Sequence, residues 1–196
     1  MDLQRDNSTC IKKMALRRRA VAMLDNPVVM ETHGGAGKLF LACYTHVENG
    51  VVFEKNPEKS AVLGKQRPTW AVYEADCVHA LSANCGAHLE VNLLDLDPYG
   101  EPWSAITAFF ESDRPRSDKL VVVVNDGLRQ AIRMGRACLT DVVARYGNDI
   151  HGKYLDVCAE LLQEKAAQAG YSLRNFAGYY CGHASQMTHY IGVLTR

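Results

Sequence analysis

The chain has 196 residues, 47% of them hydrophobic and 22% charged, which is the make-up of one ordinary globular domain, with or without an appendage. Basic and acidic residues balance at 22 each, so bulk charge points to no polyanionic or acidic-substrate partner, and only a local patch could. No apolar run approaches the roughly 18 to 20 residues that cross a bilayer, and the opening MDLQRDNSTC has no signal-peptide core, so the expectation is a cytoplasmic protein without a membrane partner.

Seven cysteines (Cys10, Cys43, Cys77, Cys85, Cys138, Cys158 and Cys181) make an odd count with irregular spacing and no CxxC. That excludes the usual disulfide frameworks and zinc sites and leaves reduced, mostly buried thiols. His46, His79, His88, His151, His183 and His189 show no metal spacing either, so no metal is expected.

Residues 9–25 predict a helix. Ile11, Met14, Ala15, Val21 and Ala22 form an interrupted apolar stripe, Thr9 is a candidate N-cap, and Asn26-Pro27 a stop. Lys12, Lys13, Arg17, Arg18 and Arg19 make the rest basic. That face is either a solvated surface or a phosphate-binding patch. Residues 1–27 are therefore read as a basic helical extension and 28–196 as the main domain.

Val28 to Lys38, VVMETHGGAGK, is the stretch that organises the chain. A short apolar strand ends in Glu31, a turn rich in glycine follows (Gly34, Gly35, Gly37), and Lys38 to His46 reads as a helix. Glycines there let the backbone turn sharply and come close to a ligand. The spacing is neither GxGxxG nor a P-loop. A second strand around Val51–Phe53 ends in Glu54, about 20 residues after the glycine loop, where an acid suits the two hydroxyls of a ribose. Pro57 opens a helix to Lys65. A third strand lies within Thr69–Asp76, and Asp76 precedes a short helix from Cys77, either as its N-cap or as an acceptor for an adenine amino group.

The fourth strand, Leu89–Leu96, runs into Asp97-Pro98-Tyr99-Gly100. An acid, a carbonyl held by proline and an aromatic ring stand together at a strand end, a set that can hold an exocyclic amino group and stack on a base. A helix is expected from near Glu101. Lys119–Asn125, KLVVVVN, has the unbroken apolar run of a strand covered on both faces. Helices are predicted at Leu128–Met134, Leu139–Arg145 and Tyr154–Ala169, with Arg129, Arg133, Arg136 and Arg145 making the first part of that segment basic. In the last helix Leu155, Cys158, Leu162, Ala166 and Ala169 share a face, and Gly170 caps it. Two strand-like runs, Ser172–Cys181 and Met187–Thr195, close the chain as a hairpin.

Strands that alternate with helices predict a doubly wound, mostly parallel sheet with a C-terminal antiparallel hairpin, seven strands in all. Ligands in such sheets bind beyond the carboxyl ends of the strands, where Glu31, Glu54, Asp76 and Asp97 all fall. From Val28 to Thr195 the chain resembles the class I S-adenosylmethionine-dependent methyltransferases, whose sheet is Rossmann-like. Glu31-Thr32-His33-Gly34-Gly35-Ala36-Gly37 resembles that family's acid-x-aromatic-x-Gly-x-Gly loop, with His33 at the aromatic position. Asp97-Pro98-Tyr99-Gly100 resembles the Asp-Pro-Pro-Tyr tetrad of amino-group methyltransferases, without the second proline, and is closer to the Asp-Pro-Tyr/Phe-Gly of the tRNA guanine-N2 dimethyltransferases. No counterpart of the extra domain of those enzymes is expected within these 196 residues.

The resemblance implies S-adenosyl-L-methionine as cofactor. It places the methionine part on Glu31, Thr32, His33, Gly34, Gly35 and Gly37, the ribose on Glu54 with Lys55 beside it, and the adenine on Asp76 with Cys77. It implies that Asp97, Pro98, Tyr99 and Gly100 perform N-methylation of an exocyclic amino group, most naturally on a nucleic-acid base, with RNA favoured. A methyltransferase for a small molecule or protein, a methyltransferase-fold protein that only binds, and a nicotinamide-dependent oxidoreductase are the alternatives. The missing third glycine and the Asp97 motif speak against the last.

Overall fold

The structure is a computed structural model that describes residues 7–134, 141–147, 150 and 152–196. Arg136, Cys138, His151 and the first two residues of the helix expected at Leu139–Arg145 lie outside the described residues.

The apolar runs form one seven-stranded sheet: β1 (Val28–Glu31), β2 (Asn49–Glu54), β3 (Ala71–Glu74), β4 (Val91–Leu96), β5 (Arg116–Asp126), β6 (Ser172–Cys181) and β7 (Met187–Thr195). Their order is β3-β2-β1-β4-β5-β7-β6. The first five pair in parallel, and β7 runs antiparallel to both β5 and β6. The winding reverses between β1 and β4, the place where open sheets of this kind bind ligands. The glycine loop after β1 and the Asp-Pro turn after β4 flank that reversal.

One face packs α3 (Cys77–Ser82), α4 (Trp103–Glu111), α5 (Leu128–Arg133), α6 (Asp141–Tyr146) and α7 (Tyr154–Gln168) against Met30, Leu94, Val122 and Val124. The other packs α1 (Asn7–Val21), a π-helical turn over Phe40–Tyr44 and α2 (Pro57–Gln66) against Val29, Val52, Leu93, Val121 and Val123. Alternate residues of β4 and β5 therefore belong to opposite faces, as the period of a strand requires. Gly170 ends α7 at φ +81°, with the Tyr171 amide donating back to the Ala166 carbonyl at 3.0 Å.

Two expectations for the first helix are corrected. Thr9 lies inside α1, which begins at Asn7, so it is not the N-cap. The apolar stripe is also displaced: Ile11 is 61% exposed and Ala22 is exposed, while Leu16, Ala20 and Val21 are buried together with Arg17. A charge enters the core because a carboxylate waits there. The helix expected at Lys38–His46 narrows to a short helical start that passes into the π-helical turn, whose buried side chains are Phe40, Cys43 and Tyr44.

Candidate active site

A cavity of about 410 Å³ opens at the carboxyl ends of β1, β2, β3 and β4, within the size range of small-ligand sites. Its walls come from four loops, each in the place the strand order dictates, with Cys10 and Lys13 of α1 and Lys59 of α2 added to them. The Gly34 amide donates to the Phe53 carbonyl at 2.9 Å, which pins the glycine loop across β2. Gly35 follows at φ +55°, with no atom within 4 Å of where a Cβ would be. The loop thus presents bare backbone to the cavity in a conformation that L side chains resist.

Glu54 ends β2 and faces this loop. Its Oε2 accepts the Gly35 amide at 2.8 Å and its Oε1 the Asn56 amide at 2.9 Å. Each oxygen keeps a further lone pair, so the carboxylate remains able to accept from a vicinal diol. Asp76 caps α3: its Oδ1 takes the Val78 and His79 amides at 3.0 and 3.3 Å. The N-cap and the ligand role are compatible, because Oδ2 stays available. His33 Nδ1 meets Thr32 Oγ1 at 2.8 Å, and its Nε2 lies 3.5 Å from Cys77 Sγ. Burial lowers the His33 pKa against the opposing pull of Asp97, Glu54 and Asp76, and burial with the Asp76 charge pushes the Cys77 thiol up to about 11. The pair is a neutral imidazole beside a neutral thiol, a recognition surface rather than a nucleophile.

On the far side of the cavity stands Asp97. Asn125, near the end of β5, donates its Nδ2 to Asp97 Oδ1 at 2.6 Å. Lys13 of α1 forms an ion pair with Asp97 Oδ2. Behind them lies a fully buried network. Arg17 grips Asp95 with Nε at 3.0 Å and Nη2 at 2.6 Å and gives Nη1 to Asn125 Oδ1 at 3.1 Å. The Tyr44 hydroxyl donates to Asp95 Oδ2 at 2.6 Å. Burial alone would raise the Asp97 pKa; the Arg17 and Lys13 cations and the bonds from Lys13 and Asn125 outweigh it and hold the carboxyl below its ordinary value. Asp97 is thus an ionised acceptor held in one orientation. Tyr99, two residues on, is fully exposed at the cavity rim.

Of the expected site residues, the cavity brings together Thr32, His33, Gly34, Gly35, Glu54, Lys55, Asp76, Cys77, Asp97 and Tyr99. Four lie outside its walls. Glu31 is buried in a 2.7 Å contact with the Arg67 guanidinium, which stacks on Phe40 and Trp70 at 4.4 and 5.1 Å. Burial pushes the Glu31 carboxyl up against the pull of Arg67, so the acid at the end of β1 is committed to a buried ion pair. Gly37 takes φ +74°, and a Cβ there would run into the Gln66 side chain. Pro98 is buried. The Gly100 carbonyl accepts the Gly127 amide at 2.9 Å, which ties the turn after β4 to the turn after β5.

Lys13, Arg17, Asn125 and Asp95 were not read as site residues from the sequence. Asp95 carried a legible signal: it lies two residues before Asp97 and so shares its face of the strand. Asn125 ends the valine run of β5 on that face too. For Lys13 and Arg17 no signal existed, since a basic helix face reads the same whether solvated or docked.

No protein-family model and no curated protein matches this sequence. Solved structures do match its fold. Trm1 from Pyrococcus horikoshii in complex with S-adenosyl-L-methionine superposes with a TM-score of 0.71 at 11% identity, over 98% of this chain and 56% of that one. TYW2 of M. jannaschii in complex with AdoMet gives 0.63 at 15% identity, over 100% and 79%. The N-methyltransferase NodS from Bradyrhizobium japonicum WM9 gives 0.59 at 12% identity, over 98% and 99%. The chain thus spans little more than half of the Trm1 chain. At these identities the likeness shows the fold: the Rossmann-like α/β sheet of S-adenosylmethionine-dependent methyltransferases.

Proposed function

We propose that the protein is an S-adenosylmethionine-dependent N-methyltransferase acting on an exocyclic amino group of a nucleic-acid base, RNA before DNA, and that it works as an RNA-modifying enzyme in the cytoplasm. The observation that carries this reading is one cavity that holds both halves of the chemistry. The glycine loop, Glu54 and Asp76 form one wall, and ionised Asp97 with exposed Tyr99 forms the other. The structures of Trm1 and TYW2 with this cofactor support the first half.

The residues fit the cofactor. The bare Gly35 backbone and neutral His33 suit its methionine end, the Glu54 carboxylate its ribose hydroxyls, and Asp76 Oδ2 its adenine amino group. When bound, the cofactor supplies an electrophilic methyl on a sulfonium with a good leaving group, so the protein's task is mainly positioning. Asp97 accepts a hydrogen of the target amino group and aims its lone pair. Asn125 fixes the Asp97 carboxylate by holding its Oδ1. Tyr99 stacks on the base.

Of the basic helix, Lys12, Arg18 and Arg19 are exposed and able to meet phosphates, whereas Arg17 is buried and excluded from that role. Among the described residues no helix is long and apolar enough to cross a membrane. One observation favours a non-catalytic binding protein instead: Lys13 already occupies an Asp97 oxygen. Transfer of a labelled methyl group to bulk RNA and bulk DNA, in parallel with calorimetry of S-adenosylhomocysteine, separates the two. Binding with transfer to RNA supports the enzyme. Binding without transfer to either polymer sinks the nucleic-acid reading.

A further inference from the structure

Lys13 stands where an acceptor would stand. Its Nζ is paired with Asp97 Oδ2, the carboxylate to which the reading above gives the target amino group. It lines the same cavity as the glycine loop and Glu54. Three other lysines line that cavity, Lys38, Lys55 and Lys59, yet among the described residues only Lys13 forms an ion pair with Asp97. Its position is enforced. Arg17, one helical turn on and on the same face, is locked to Asp95 and Asn125 and donates Nη1 to the Lys13 carbonyl at 3.3 Å. The helix cannot slide without breaking a fully buried ion pair.

We propose that Lys13 is an intramolecular methyl acceptor: with S-adenosylmethionine bound and no other acceptor present, the protein methylates its own Lys13 Nζ. This rests on the methyltransferase reading above. The Lys13 ammonium first gives one proton to solvent, which reaches it because its side chain keeps 22% exposure. The amine lone pair then forms the N–C bond as the S–C bond breaks, and the bonding pair stays on sulfur. The positive charge passes from the sulfonium to the alkylated nitrogen, and S-adenosylhomocysteine departs. No oxidant, reductant or further reactant enters.

Asp97 holds the amine in place, and because acceptor and enzyme are one chain the reaction is a single event on each chain rather than turnover. Lys13 acts electrostatically on Asp97 and on His189 of β7, and it shares the cavity lining with His33 of the glycine loop.

The test uses the full chain incubated with excess S-adenosylmethionine, read by intact mass and peptide mapping. The expected result is a gain of one CH2 on Lys13, in preference to Lys12, Lys38, Lys55 and Lys59. It is blocked by S-adenosylhomocysteine and is lost in Lys13→Arg, which retains the cation. A binding measurement accompanies it. Sinefungin carries an amine-bearing carbon in place of the methylsulfonium. In Lys13→Met it should gain roughly tenfold in affinity relative to S-adenosylhomocysteine, about 1.4 kcal/mol, because Asp97 is then free to take its ammonium. An unmodified Lys13 in protein that binds S-adenosylhomocysteine, methylation scattered over the lysines, or an unchanged sinefungin ratio overturns this proposal alone. Protein that fails to bind S-adenosylhomocysteine overturns the cofactor reading with it.

Discussion

The two walls of the cavity are built in different ways. The cofactor wall is assembled mostly between successive strands: each hands its carboxyl end to a short loop, with Gly35 bonded to Glu54, 19 residues on, and His33 meeting Cys77, 44 residues on. The acceptor wall is assembled across the chain. Asn125 reaches back 28 residues to Asp97, and Arg17 reaches 78 residues to Asp95 and 108 to Asn125. The first wall needs only the sheet, whereas the second needs α1 docked on it. A fault in the first should cost ligand affinity, and a fault in the second should cost the fold or the chemistry.

The largest expected effect is Arg17→Met. It strands the Asp95 carboxylate in a site with no exposure, a loss on the order of 3–5 kcal/mol. Urea unfolding reads it directly, and a loss under about 1 kcal/mol would mean that α1 is an appendage with little hold on the acceptor wall. Next is Asp97→Ala, which should lower methyl transfer by at least about 100-fold, since the acceptor loses its alignment. The affinity for S-adenosylhomocysteine should stay within about threefold. Equal losses of both would erase the distinction between the walls.

Glu54→Ala is the mirror experiment. It removes an acidic acceptor from the cofactor wall and should weaken S-adenosylhomocysteine by roughly 10- to 100-fold, the size of one to two charge-assisted hydrogen bonds. Urea stability should change little, because Glu54 is not in the core. If calorimetry finds the affinity unchanged, the ribose assignment is wrong.

The last effect lies behind both walls and touches neither affinity nor chemistry. Asp126 is fully buried, accepts the Leu128 amide at 2.7 Å and the Tyr154 hydroxyl at 2.8 Å, and burial raises its pKa to about 7. A carboxyl with a raised folded pKa binds its proton more tightly in the folded state. Its contribution is therefore fully present below the unfolded value near 4 and is lost as pH rises toward 7, at up to about 1.4 kcal/mol per unit. Melting temperature should fall from pH 5 to pH 7, and Asp126→Asn should flatten that slope while leaving both walls intact. A variant with the parent's slope would assign it to another group.

Much of the fold was legible because its signals are local. The valine run of β5 says that both faces are covered, Pro57 says where α2 starts, and Gly170 says where α7 stops. That Gly35, Glu54 and Asp76 share one cavity was legible for the same reason, since their place at one sheet edge follows from the order of elements. The misreadings concentrate in α1. Ile11 was placed inside and is exposed, and Arg17 was placed in a basic face and is buried. Helix periodicity reports which residues are apolar, and it cannot report that a carboxylate 78 residues away makes a buried arginine favourable.

The sequence by itself determined the sheet, the direction of its strands and the set of acids along one edge, because periodicity, glycine, proline and chain order are properties of short segments. Only the tertiary structure decided that Glu31 pairs with buried Arg67 instead of lining the cavity, that Gly100 ties two turns together, and that Lys13 lies on Asp97. Each of these is a pairing between distant segments, and its energy exists only once burial has removed the water that would otherwise serve both partners.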